Sequence, residues 1–374
     1  MRFRSPLGRF RSAVRNIGSS IISPGCGEGR RADSNLNQCR RTRSEGHLTD
    51  WKADRWSVST RSIRGFMHSA RWNEDAFTVT QDLFAIEGAP NRPPLLGKVG
   101  LFAVFDGHGG RECSDFIASV MPAAVVQSPA WEKVRLIMRG GEEFVDDNDT
   151  TAFCPSIPFN GDREELLRSV LIQALEDGFR TAEVTFEEYS SGTGLTCGST
   201  GVVALMCDNW LAIANVGDSG ALYFNHGDIK KCSQEPLIVQ TKLHDYQNME
   251  ERSRVEKAGG YFSRGRLLGQ LEPSRSFGDL DMRRLKDGAL ISTPEIITQR
   301  ICPTDGNAFL VMATDGLWDC VSPEKVIKLV QSGARRQVKK KAGDKPVQVA
   351  ASLTRAAQSA EEGDDVTVVV VLIG

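Results

Sequence analysis

The chain has 374 residues, a formal net charge of −2, 40% hydrophobic residues and 36 glycines, enough apolar material for one large domain or two ordinary ones. The first 45 residues hold ten arginines against Glu28, Asp33 and Glu45, so the remainder is acidic and lacks the basic excess of a general nucleic-acid binder. No apolar stretch approaches the roughly 18 residues of a membrane span, and nine scattered cysteines without a C-x-x-C pair indicate reduced intracellular thiols, not a disulfide framework or a zinc knuckle.

At the amino end, Phe3, Leu7, Phe10, Val14, Ile17 and Ile21 recur three or four residues apart on a background of arginine, with no acid before Glu28. That is a helical period on a basic stretch, the composition of a mitochondrial transit peptide. Pro6, Gly8, Gly18 and the polar run that follows equally suit a disordered basic arm. Residues 1–50 are therefore expected to be an extension, either disordered or targeting. The compartment is cytoplasmic or nuclear, or mitochondrial if residues 1–25 act as a transit peptide.

From about Trp56 the texture changes to short apolar runs broken by Gly, Asp and Asn, and residues 51–374 are expected to form one domain. The helix of the "GHGG" region starts after Gly110, and the stretch Arg139 to Arg163, rich in Asp, Asn, Pro and Gly, reads as a surface insertion (139–163). "REELLRSVLIQALEDGF" places Leu166, Leu167, Val170, Leu171, Ala174 and Leu175 on one helical face. "GVVALMCDNWLAIANVGDSGALYFNHGDIKKC" predicts a strand, a turn at Cys207 to Asn209, a strand, a break at "GDSG", a strand and a turn at "NHGD". Such tight turns join antiparallel neighbours. Further helices start at "EERSRVEKAGG", stopped by glycines, and at "SPEKVIKLVQSG", where Ser322 can cap and Pro323 takes the first helical position. Antiparallel strand clusters with helical hairpins between them predict layered α and β packing of the α+β class, not a doubly wound parallel sheet. Neither an internal repeat nor a Walker-type phosphate loop is found.

The chemistry lies in acids that recur at the ends of apolar runs. Asp106 follows "LFAVF", Asp218 follows "LAIANVG", Asp315 follows "FLVMAT", Asp364 precedes "VTVVVVLI", and Glu74 and Asp75 precede "AFTV". One such acid is ordinarily a turn former or helix cap. Five runs with the same ending place several carboxylates on one edge if the strands pack together, which demands cations at neutral pH. With no His or Cys cluster beside them, the expected ions are Mg²⁺ or Mn²⁺, and the substrate class that best fits is a phosphate ester.

"RWNEDAFTV", "FAVFDGHGG", "GSTGVVALMCDNWLAIANVGDSGALY", "EERSRVEKAGGYF", "PSRSFGD", "VMATDGLWDCVS" and "GDDVTVVVV" resemble, in order, the motifs of the metal-dependent protein phosphatases of type 2C. The resemblance covers about Trp56 to the carboxyl end. It implies a four-layer α-β-β-α sandwich with two central antiparallel sheets, and hydrolysis of phosphoserine and phosphothreonine in proteins. The attacking group would be a hydroxide bridging two Mn²⁺ or Mg²⁺ ions, with no covalent intermediate. By the same resemblance Asp106 bridges both ions, and Gly107 lends a carbonyl to one of them. Glu74 is a ligand of that second ion, Asp315 and Asp364 are ligands of the first, and Asp75 is a supporting acid. Asp218 and Asp319 resemble the acids of a weaker third ion. His108 resembles the general acid that protonates the leaving oxygen, while His47, His68, His226 and His244 are read as surface or turn residues.

Two departures from the family pattern stand out. The phosphate-binding arginine usually lies four residues before the position of Glu74; here Ala70 is there, and Arg71 is one residue closer, which in a strand reverses the side-chain face unless a bulge restores it. Arg71 is kept as the expected phosphate clamp. Gly220 in "GDSG" stands where arginine is common, from which altered substrate contacts or local flexibility are expected. Arg275 in "PSRSFGD" is assigned a structural role. The expected partners are phosphoprotein substrates, not nucleic acid or a membrane, and the chain is taken as monomeric. The alternative from another class is a pseudophosphatase scaffold that binds phosphoproteins without hydrolysis, and weaker still is a metal-dependent nuclease.

Overall fold

The structure, a computed structural model, describes residues 56–65, 72–87, 98–138, 163–225, 236–301, 308–338, 348–360 and 363–374. The basic extension, the body of the expected insertion, Arg71, His47, His68 and His226 lie outside the described residues.

From the amino end come β1 (Trp56–Ile63), β2 (Ala76–Thr80), β3 (Val99–Phe105) and the two-residue β4 (Gly107–His108). Three helices follow, α1 (Glu112–Val126), α2 (Pro129–Met138) and α3 (Arg163–Ser191), then β5 (Gly198–Ser199), β6 (Gly201–Cys207), β7 (Trp210–Val216), β8 (Gly220–Asn225) and β9 (Leu237–Gln240). Helix α4 (Met249–Lys257) precedes β10 (Phe262–Ser263), β11 (Arg266–Leu267) and β12 (Phe277–Gly278), and α5 (Leu280–Leu285) precedes β13 (Glu295–Arg300) and β14 (Ala308–Ala313). The chain closes with α6 (Asp315–Trp318), α7 (Pro323–Val338), α8 (Val349–Gln358) and β15 (Val366–Ile373).

Two five-stranded sheets, in the orders β1-β15-β14-β8-β9 and β13-β7-β6-β3-β2, make the centre, and every neighbouring pair in them is antiparallel. Side chains alternate faces along a strand. Thus Phe102 and Val104 of β3 meet Tyr223, Leu310, Met312, Val369 and Val371 in a core between the sheets, while Leu101, Ala103 and Phe105 face the opposite way, toward α1, α2 and α3. On the far side Phe309, Val311, Val368 and Val370 pack under α7 and α8. Each central strand is covered on both faces, which is why these strands read as unbroken apolar runs and not as an alternation. The order helices, sheet, sheet, helices is the four-layer sandwich.

Local details agree with the expected punctuation. The β6–β7 hairpin turns on Asp208 and Asn209, with Cys207 paired to Trp210 and Asp208 at φ 49°, the left-handed conformation that Asp tolerates in tight turns. Helix α4 is capped by Asn248, whose side chain accepts the amides of Glu250 and Glu251. Helix α7 starts at Pro323 and runs through Gly333 to Val338. A Cβ at position 333 would stand 2.9 Å from Val349 Cγ2, so this glycine lets α8 approach and does not end the helix.

Candidate active site

Register explains how acids remote in sequence meet. Ala76 pairs with Phe105, so Glu74 and Asp75 before β2 lie at the same end of the sheet as Asp106 after β3. In the other sheet Ala313 pairs with both Val368 and Gly220. Asp315 after β14, Asp364 before β15 and Asp218 before β8 therefore share one end. The opening motif continues into β4, whose Gly107 and His108 pair with Ser199 and Gly198. Gly107 is needed for close approach: a Cβ there would stand 2.4 Å from the Glu74 carbonyl oxygen. Gly109 and Gly110, at φ 67° and 129°, turn the chain into α1 through backbone space that L side chains rarely enter.

The electrostatics confirm that the carboxylates converge. Burial pushes the Asp106 carboxyl well above the usual range, and the nearby charges of Asp315, Asp75 and Asp218 push it further. Asp75 and Asp218 are raised in the same way, burial first, with Asp315 adding to both. Asp315 is pushed up to about 7 by burial and then by Asp364, with Asp319 contributing, while a hydrogen bond with Asp106 opposes the rise. Thr314 Oγ1 donates to Asp75 Oδ2 at 3.1 Å, but Asp75 Oδ1 and Asp315 Oδ1 are buried with no hydrogen-bond partner. Acceptor oxygens without donors, on carboxylates that raise one another, are a donor set for hard cations. The residues present thus fit divalent ions. No group of three or more His, Cys, Asp or Glu among the described residues closes into a ready-made metal cage; the acids line a common wall.

Asp365, which sequence reasoning passed over beside Asp364, organises the approach. Its Oδ1 accepts the amide of Gly65 at 2.7 Å and its Oδ2 that of Glu74 at 2.8 Å, tying the end of β1 and the segment before β2 to the start of β15. Asp364 Oδ1 accepts the amide of Asp365 at 2.7 Å. Asp319 closes α6, its amide bonded to the Asp315 carbonyl at 2.9 Å.

His108 is half-buried, and its Nε2 stands 2.8 Å from Asp279 Oδ2 and 3.0 Å from Oδ1. Asp279 is buried, sits at φ 49° and accepts a 2.5 Å hydrogen bond from Ser276 Oγ. Its place is kept by Gly198, where a Cβ would meet Asp279 Oδ2 at 2.1 Å. The acid ends "PSRSFGD", a motif noted in the sequence, yet it follows a strand of only two residues and so escapes a search for acids behind long apolar runs.

One expectation is revised by the structure. His244 is no surface residue: it is fully buried, its Nδ1 accepts the Gly217 amide at 3.2 Å, and burial pushes its pKa down to about 3. It is a neutral support behind the turn that carries Asp218. Gly220 pairs with Ala313, and its carbonyl accepts the indole N–H of Trp318 at 3.2 Å. Arg275 is structural as expected, donating to Glu251 Oε1 at 2.6 Å and to the Thr293 carbonyl at 2.9 Å. Cys113, Cys197, Cys207 and Cys320 are free thiols, and no described helix is long and apolar enough to cross a membrane.

The two-sheet sandwich, its carboxylate wall and the carboxylate-held histidine fit the class of metal-dependent serine/threonine protein phosphatases, which are hydrolases, and the sequence comparisons identify that class. Residues 73–366 match the sequence model of the family described as Protein phosphatase 2C, and the chain belongs to that family. It is 31% identical over 250 residues to "Probable protein phosphatase 2C 58" of Oryza sativa subsp. japonica, a match covering 61% of this chain and 64% of the rice protein. It is 29% identical over 359 residues to "Integrin-linked kinase-associated serine/threonine phosphatase 2C" of Bos taurus, covering 93% of this chain and 86% of that protein. Among solved structures, serine-threonine phosphatase 2C from Toxoplasma gondii shares the fold with a TM-score of 0.66 at 19% identity, over 88% of this chain and 100% of that one.

Proposed function

We propose that residues 51–374 form a catalytic domain that hydrolyses phosphoserine and phosphothreonine at a binuclear Mn²⁺ or Mg²⁺ centre by direct attack of water, without a phosphoenzyme. The observation that carries this reading is the mutual elevation of Asp75, Asp106, Asp218 and Asp315 at one sheet end, with two carboxylate oxygens left without a donor. Asp106, the Gly107 carbonyl, Glu74, Asp315 and Asp364 would hold two ions, Asp218 and Asp319 a third, and Asp75 would support them. When bound, such ions neutralise the wall, polarise the phosphoryl oxygens and acidify a water molecule. Arg71 is the proposed phosphate clamp. The relatives' names speak for a phosphatase, and nothing favours a non-hydrolysing scaffold.

His108 supplies the proton. With Nε2 directed at Asp279, Nδ1 is the ring nitrogen left to donate, and an imidazolium there can protonate a departing serine or threonine oxygen. The buried Asp279 fixes the ring orientation, while Ser276 and the left-handed backbone at 279 hold the carboxylate in turn. The decisive assay is phosphate release from a phosphothreonine peptide and from p-nitrophenyl phosphate, with Mn²⁺, with Mg²⁺ and with excess EDTA. Turnover is expected only with added ions, and full activity in EDTA overturns the metal reading. Asp279→Asn is expected to slow the phosphopeptide by about 10²-fold, the low end for a general acid. The same change should touch p-nitrophenyl phosphate much less, because nitrophenolate leaves without a proton.

A further inference from the structure

Helix α7 has a second face that the catalytic reading does not use. Val326, Ile327 and Val330 are buried on the sheet, whereas Lys325, Lys328, Ser332, Arg335 and Arg336 are exposed. Lys328, Gln331, Ser332, Arg335 and Arg336 follow one another at helical spacing and border an open groove of about 360 Å³. In sequence the cationic stretch continues with Lys339, Lys340, Lys341 and Lys345, so that residues 325–345 hold eight basic residues against Asp344. The setting makes this unusual, because residues 46–374 carry 36 Lys and Arg against 45 Asp and Glu.

Several other surface cations have acidic partners: Arg135 with Glu132, Arg168 with Glu165, Arg266 with Glu272, Arg300 with Glu164. On α7, Glu324 lies one turn before Lys328 and interacts with its charge, Arg336 donates to the Ser332 carbonyl of its own helix at 3.2 Å, and no salt bridge among the described residues engages Lys325, Lys328 or Arg335. A row of such cations on a rigid helix is complementary to a run of carboxylates. A membrane is a poorer match, since the apolar face of α7 is already buried and has nothing to insert. A nucleic acid is poorer too: the groove offers no aromatic platform, and the acidic remainder of the domain repels a long polyanion.

We propose that the basic face of α7 docks an Asp- and Glu-rich segment of the phosphoprotein substrate; the substrate part of this inference rests on the phosphatase reading above. Pro323 begins α7 eight residues after Asp315, and at 1.5 Å per residue Arg335 lies about 18 Å further along the helix. An extended chain covers that distance in at least about six residues. An acidic run of that length would span the basic face, and docking raises the local concentration of the phosphosite without touching the chemistry.

The test uses the full chain and two peptides with the same phosphothreonine core, one of them carrying a Glu/Asp tail eight residues away. The tailed peptide is expected to have about tenfold higher kcat/KM at low salt through KM, an advantage that fades as salt screens it. Lys328→Glu, Arg335→Glu and Arg336→Glu together should remove the advantage and leave p-nitrophenyl phosphate turnover unchanged, while Arg335→Lys with Arg336→Lys should keep most of it. Fluorescence anisotropy of the unphosphorylated tail, without divalent ions, reads docking independently of catalysis. If the tail binds and the triple variant loses it while no phosphate is ever released, docking stands and the phosphatase reading falls. Equal tail binding by the triple variant overturns the proposal, as does binding of anionic vesicles or RNA with none of the tail.

Discussion

Two regions of this protein bury carboxylates, and they do so in opposite ways. At the sheet end, Asp75, Asp106, Asp218 and Asp315 are raised by burial and by one another. On α4, Glu251 is 2% exposed, yet its pKa is held down to about 2. Burial opposes that shift, but hydrogen bonds from Arg275, Arg254 and Ser274 and the charge of Arg275 outweigh it. Arg254 also donates to the carbonyls of Ser274, Gly288 and Ala289 at 2.9 to 3.1 Å, so the same node ties α4 to the segments on both sides of β12 and α5. A carboxylate that serves the fold has its counter-charge within the chain. On the proposed metal reading, the carboxylates of the wall are left for a counter-charge from outside.

Removing one acid from each region separates the two kinds. Asp106→Asn takes away the central member of the wall and is expected to lower turnover with Mn²⁺ by at least about 10²- to 10³-fold, the scale of losing one preorganised electrostatic group. The same change relieves like-charge repulsion and is expected to raise the melting temperature in EDTA by a few degrees, the equivalent of about 1 kcal/mol in a domain of this size. Steady-state kinetics and thermal scanning of one preparation check both signs. An activity loss accompanied by a lower melting temperature in EDTA would remove the contrast.

Glu251→Gln should behave in reverse. It leaves Arg254 and Arg275 buried beside a neutral amide, and breaking such a pair from one side costs about 3–5 kcal/mol. Urea titration is expected to show a lowered midpoint both with and without Mn²⁺. Turnover of the fraction that remains folded should stay within a few-fold of the parent protein, because the Glu251 carboxylate is engaged by Arg254, Ser274 and Arg275 and is not among the acids of the wall.

The difference between the regions also decides what could be read in the sequence. The wall was legible because each acid ends a long apolar strand, and antiparallel register then carries Asp106, Asp315, Asp364, Asp218 and Glu74 to one edge. The sandwich was legible for the same reason, through continuous apolar runs such as "VTVVVVLI". The supports were not. Asp279 and Asp365 act through contacts to residues 171 and 300 positions away, His108 and Gly65, and local pattern holds no trace of that separation. His244 looked like a loop histidine because nothing in "LHDYQN" signals that the turn folds inward. Glu251 lies in a helix of charged residues, where only the tertiary partners distinguish it from its exposed neighbour Glu250.

The pH dependence of stability divides along the same line. Asp315 keeps its proton up to about pH 7 when folded but only to about its ordinary 3.8 when unfolded. Between these values the folded chain binds more protons, so this group makes stability fall as pH rises through that window. Glu251 has the opposite sign: its folded value of about 2 lies below its ordinary 4.5, so its contribution is present above about 4.5 and lost as pH falls toward 2. Without metal, the stability maximum is therefore expected on the acid side of neutrality. Saturating Mn²⁺ competes with the protons on the wall and should move that maximum upward, leaving the acid limb set by Glu251 in place. Melting temperatures from pH 3 to 8, with EDTA and with Mn²⁺, read both limbs, and an unchanged profile on adding Mn²⁺ would mean that the wall does not take up the ion.

The smallest expected effect sharpens the comparison from the structural side. Ser274→Ala removes the 2.7 Å hydrogen bond from Ser274 Oγ to Glu251 Oε2 but leaves both arginines, so Glu251 stays ionised and paired. The loss should be about 1 kcal/mol, that of one buried hydrogen bond, and the acid limb should shift only slightly toward higher pH. Turnover per folded molecule should not change at all. If the serine mattered as much as an arginine, the node would be a hydrogen-bond network first and a charge network second. A small loss instead identifies the two guanidinium groups as what separates this buried carboxylate from the four at the metal edge.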